Sequence, residues 1–132
     1  MRPQKNRGGT LKETVLWNNS APTSGMTSTT ITLSQSIDLY DYIKIVWRVS
    51  KTVSTEMSML TTPSSIKIST SGGTNVNNLS ISARPTSGRA TSRLITYSSV
   101  TKLGVSVAHY IGESGNTTDY AIPIQIVGIK LG

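Results

Sequence analysis

The chain of 132 residues predicts an all-β fold, an antiparallel β-sandwich of jelly-roll-like type with about seven or eight strands. Three observations carry that expectation. Apolar and polar residues alternate with a period of two in several short runs. Clusters of Ser, Gly, Asn and Pro separate those runs at fairly regular spacing. The composition, with 20 Ser and 19 Thr but few Lys, Glu and Ala, suits pleated surfaces and turns better than exposed helices. A chain of this length is expected to form one domain, residues 13–132, behind a basic N-terminal arm, residues 1–12.

The arm comes first. It contains Arg2, Lys5, Arg7 and Lys12, no acid, Pro3 and the paired Gly8 and Gly9, without apolar periodicity. These four are part of 13 basic residues, so the body keeps nine against six acids, +3 of the total +7. Such an arm is expected to anchor the chain to an acidic or phosphate-bearing surface through those four side chains.

Glu13 to Trp17 and Thr29 to Leu33 predict short strands joined by a loop through Pro22, Ser24 and Gly25. Asp41 to Val49 is the clearest strand. Ile43, Ile45, Trp47 and Val49 share one face, and Tyr42, Lys44, Val46 and Arg48 the other, as a sheet wetted on one side requires. Lys51 to Leu60 alternates Val53, Thr55, Met57 and Met59 against Ser54, Glu56, Ser58 and Leu60. Ile66 with Ile68, and Leu79 with Ile81, read as short strands on either side of a turn at Ser71 to Asn75. Arg89 to Ser98 and Lys102 to Tyr110 add two more. Ala121 to Leu131 closes the chain, with Ile122, Ile124 and Ile126 expected on one face. Pro123 is expected near the strand start or on an edge, because it cannot donate to a ladder. There are no heptads, so the chain has no coiled-coil shaft of its own.

Catalytic material is scarce. Without Cys there is no disulfide scaffold, thiolate nucleophile or sulfur-ligated zinc. The single histidine, His109, is expected to point with the apolar face of Leu103, Val105 and Val107 as a packed or edge residue. Nucleophile-elbow, P-loop and dinucleotide-binding motifs are missing. Asp38 and Asp41 read as turn-forming residues rather than calcium ligands. The expectation is no catalytic residue, no metal and no cofactor. Of the aromatic residues, Tyr40, Tyr110 and Tyr120 lie near strand ends and are candidate glycan or receptor contacts, since aromatic faces stack on the apolar faces of sugars. Nucleic acid is disfavoured as a partner: the arm has charge without aromatics, and Arg84, Arg89 and Arg93 form the only other basic cluster. No stretch after Met1 has the apolar core of a signal peptide, and the apolar runs are too short to span a bilayer. The chain is therefore expected to be soluble, unexported and not inserted in a membrane.

Five segments then recur in a recognisable order. They are Val15–Leu16–Trp17–Asn18, Pro22–Thr23–Ser24–Gly25, Thr30–Ile31–Thr32–Leu33–Ser34, Tyr40–Asp41–Tyr42–Ile43–Lys44–Ile45, and Ile122 through Lys130. Together they resemble a β-domain of minor structural proteins in tailed bacteriophages and prophages, of tail-fibre, baseplate or head-fibre and capsid-decoration type. The likeness covers residues 13–130, with Lys51 to Ser99 similar only in texture. It implies a non-enzymatic virion protein, assembled in the bacterial host cytoplasm, with capsid or tail and baseplate proteins as partners. A homo-oligomer is implied as well, a trimer being one form. The alternative it implies is the receptor- or glycan-binding tip module of a tail fibre, with a host surface glycan as ligand. Only a short arm precedes the body here, which favours direct attachment to a capsid or tail over a long-shafted fibre.

Overall fold

The longest alternating run lies at the centre of one sheet. The computed structural model describes residues 11–68, 79–84 and 88–132. Ten strands follow in order: β1 Leu11–Asn18, β2 Thr29–Thr32, β3 Tyr42–Ser50, β4 Glu56–Thr61, β5 Leu79–Ala83, β6 Thr91–Ser99, β7 Lys102–Val105, β8 Ala108–Tyr110, β9 Asn116–Thr117 and β10 Tyr120–Leu131. A 3-10 turn covers Ile37–Leu39, and the helix α1 covers Pro63–Lys67. One sheet has the order β1-β10-β3-β4, and the other β2-β7-β6-β8-β9 with β5 also on β6. Every pairing is antiparallel. The sheets face each other across Leu16, Ile31, Ile45, Ile81, Ile95 and Ile126, so the protein is an antiparallel β-sandwich.

The strand count exceeds the expected seven or eight because the 102–110 run splits into β7 and β8, and β9 adds a two-residue strand. Other departures have local causes. Ile66 and Ile68 are not a strand: Thr62 caps α1 by accepting from the Ser65 amide at 3.2 Å, and Pro63 sits at the helix start. Helical geometry turns Ile66 into the core at 0% exposure and leaves Ile68 at 58%. Residues 51–55 form a turn instead of the first half of a strand, since the Ser50 hydroxyl accepts from the amides of Thr52 and Val53 and curls the chain. The turn expected at 71–75 lies outside the described residues.

β10 departs from its expected face pattern for a different reason. A bulge between Pro123 and Gln125 shifts its register on β3, so Ile122 pairs with Arg48 while Ile126 pairs with Ile45. Arg48 and Ile45 are on opposite faces of β3, so Ile122 and Ile126 are as well, and Ile124 is half-buried between them. Pro123 is on neither edge. It lies near the start of a central strand, at the bulge.

Leu11 pairs with Leu131, so the first and last strands leave the sandwich side by side. Tyr42 of β3 and Thr61 of β4 are at the same end. The opposite end holds Asn18, Ser50 and Tyr120 with their loops. β1 starts at Leu11, so Lys12 belongs to an edge strand opposite Lys130 rather than to an arm. Arg2, Lys5 and Arg7 lie outside the described residues.

One close approach fixes the Leu11 end. The Tyr40 ring lies over Gly128 of β10, where an added Cβ would sit 2.6 Å from its Cγ and Cδ2. The ring fills the place of the missing side chain, and its hydroxyl donates to Gln35 Oε1. Gly128→Ala is expected to cost about 1–3 kcal/mol through this overlap, measured by chemical denaturation. A variant as stable as the parent chain would show that the ring is not pinned there.

Candidate binding surface

Among the described residues, five of the six acids pair with cations. Glu13 pairs with Lys44 at 3.9 Å, Asp119 with Lys51 at 3.3 Å, Asp38 with Lys67 at 2.6 Å, Glu113 with Arg89 at 2.8 Å and Asp41 with Lys130 at 3.8 Å. These are surface pairs, screened by solvent and weak as sources of stability. The hydrogen bond to Asp38 holds Lys67 above its ordinary pKa, and the bond to Glu113 does the same for Arg89. Asp38 and Asp41 serve separate partners, with Asp41 also accepting from the Leu131 amide at 2.8 Å. Among the described residues no group of three or more His, Asp or Glu converges as metal ligands. Among them, too, no helix is long and apolar enough to cross a membrane.

His109 is exposed, contrary to the parity expectation. The chain breaks strand between β7 and β8, where the Ser106 hydroxyl accepts from the Leu94 amide and donates to the Val107 carbonyl. The alternation restarts out of phase, burying Ala108 and turning His109 outward.

The three candidate tyrosines do not form one platform. Tyr40 is at the Leu11 end, committed to Gly128 and Gln35. Tyr110 and Tyr120 are toward the other end, and both are half-buried. The Arg89 guanidinium lies 3.8 Å from the centroid of the Tyr110 ring, covering one of its faces.

Arg93 has the most unusual position. β6 alternates Thr91, Arg93 and Ile95 inward, and Arg93 is 0% exposed. Its Nε donates to the Tyr120 carbonyl at 3.0 Å, Nη1 to Met26 at 2.9 Å and Ser106 at 3.1 Å, and Nη2 to Thr118 at 3.1 Å. Burial pulls its pKa down to about 10, still well above neutrality, so the side chain stays cationic. It ties three loops together at the end away from Leu11. It therefore forms no basic cluster with the exposed Arg84 and Arg89. Its parity with Ile95 was the available sequence signal.

Each sheet also has a hollow on its outer face. On the six-stranded sheet a cavity of about 420 Å³ is floored by Gly104 and lined by Ser28, Thr30, Leu94, Thr96 and Ser106. Ser28 and Ser106 spend their hydroxyls on the amides of Val107 and Leu94. On the four-stranded sheet two hollows of about 240 and 290 Å³ share Val46, Glu56 and Gln125. No protein-family model matches the chain, and no curated protein matches it.

Proposed function

We propose that the chain is a non-enzymatic structural protein of a bacteriophage particle, attached through its basic N-terminal residues with the sandwich facing outward. Its resemblance segments and the split between a basic leading segment and a body of low net charge support this reading. The observation that carries it is the pairing of Leu11 with Leu131. The basic residues join the body at one end, so the loops gathered by Arg93 lie at the other, free to face away from a particle. Pairing of five acids with cations on the surface leaves little for general acid–base chemistry, which agrees with a structural role.

The test is the triple variant Arg2→Glu, Lys5→Glu, Arg7→Glu in the full chain, followed by quantitative mass spectrometry of particles purified from the phage that encodes it. A several-fold loss of incorporation at an unchanged thermal midpoint is the expected result. Undiminished incorporation rejects the anchor. A parent chain missing from purified particles rejects the virion role altogether.

A further inference from the structure

The outer face of the four-stranded sheet holds polar groups whose hydrogen-bonding capacity the fold uses only in part. Register sets Gln125 of β10 between Asn18 of β1 and Val46 of β3, and Arg48 of β3 opposite Glu56 of β4. Gln125 Nε2 donates to Asn18 Oδ1 at 3.0 Å, which leaves the Gln125 carbonyl oxygen and the Asn18 amide group to spare. Arg48 is held by bonds to the carbonyls of Ser50 and Lys51, so its guanidinium is fixed in advance of any ligand. Glu56 is the one acid that forms no ion pair among the described residues.

These groups line one continuous groove, since the two hollows share Val46, Glu56 and Gln125. Its chemistry selects among ligands. A carboxylate accepts hydrogen bonds from hydroxyl pairs, a guanidinium donates, and carboxamides do both. Val46 offers apolar contact for C–H faces. Glu56 opposes anions, Arg48 opposes cations, and Lys44, which also lines the groove, is paired with Glu13, so an uncharged, hydroxyl-rich ligand fits best. Two adjoining hollows suit a short oligomer better than a single compact molecule.

We propose that this groove binds an uncharged oligosaccharide, with Glu56, Arg48, Gln125 and Asn18 reading its hydroxyls and the tyrosines taking no part. Maltotriose, cellotriose and chitotriose, each titrated at millimolar concentration into the isotope-labelled full chain, are the probes. At least one is expected to shift the amide resonances of Asn18, Arg48, Glu56 and Gln125. Glu56→Gln should then weaken association roughly tenfold, and Gln125→Ala similarly, by loss of charge-assisted or paired hydrogen bonds. Glu56 is exposed on the edge strand β4, so its variant keeps the fold, and an unchanged thermal midpoint verifies this. Tyr110→Ala should bind as the parent does. Silence of these resonances with all the probes overturns the proposal. Shifts confined to the surroundings of Tyr110 and Tyr120, or variants at both Glu56 and Gln125 that bind undiminished, overturn it too. The measurement uses no particles, so its failure leaves the attachment reading standing.

Discussion

Arg93→Met is expected to destabilise the protein by about 3–5 kcal/mol. Methionine preserves much of the stem volume, so the loss does not come from a cavity. It comes from the carbonyls of Met26, Ser106, Thr118 and Tyr120, which lose their shared donor. Hydrogen bonds from a charged group contribute roughly 1.5–3 kcal/mol each. The burial that pulls the guanidinium pKa to about 10 offsets part of that sum, and the variant recovers this part. What it cannot recover is the lost donor to these main-chain oxygens, because no methionine atom donates, although the Thr118 carbonyl keeps the Met26 amide at 2.8 Å. Arg93→Lys should fall between the two, since an ammonium lacks the planar fork that reaches several carbonyls at once. Urea denaturation measures the loss. Amide exchange should locate it in the loops around residues 26, 106 and 118–120. A denaturation midpoint for Arg93→Met equal to that of the parent would show that those loops hold themselves.

The parts of the fold legible in the sequence are those in which one strand alternates without interruption. Ile43, Ile45 and Trp47 needed only their own spacing to be placed inside, and β4 kept Met57 and Met59 inward of Glu56, Ser58 and Leu60. Legibility failed where a local hydrogen bond reset the phase. The bulge at Pro123 to Gln125 put Ile122 and Ile126 on opposite faces, and the break at Ser106 reversed His109. Ile66 and Ile68 are spaced like strand residues, and the Thr62–Pro63 cap outweighed that spacing. Tyr40 looked like a loop aromatic because its partner, Gly128, is in the last strand. Arg93 counted as surface charge by residue type, although its parity with Ile95 placed it inside.

The groove was illegible for a topological reason. Arg48 and Glu56 face each other across the consecutive strands β3 and β4, but Asn18 and Gln125 join them only because the last strand inserts between the first and the third. No local motif announces that meeting of the two ends of the chain. The candidate residues chosen from sequence were aromatics at strand ends, whereas the unspent polar groups lie on a sheet face.

Ile45→Asp is expected to abolish cooperative folding, while Lys44→Asp, one position away, costs about 1 kcal/mol. Ile45 is 0% exposed, in register with Met59 and Ile126, and an aspartate there would be a buried charge without a partner. Lys44 points the other way, in register with Leu60 and Val127. It reaches across β10 to Glu13, and its stem helps roof Val127, which is 2% exposed although it lies on the outer face. Lys44→Asp therefore removes a weak ion pair and some apolar cover, and sets a second acid near Glu13. Thermal melts followed by circular dichroism should show no transition for Ile45→Asp and a midpoint only a few degrees lower for Lys44→Asp. Equal damage from the two would carry a specific meaning. The Lys44 face would then itself be an interior, covered in solution by another copy of the chain, and the groove beside it would be closed to a saccharide.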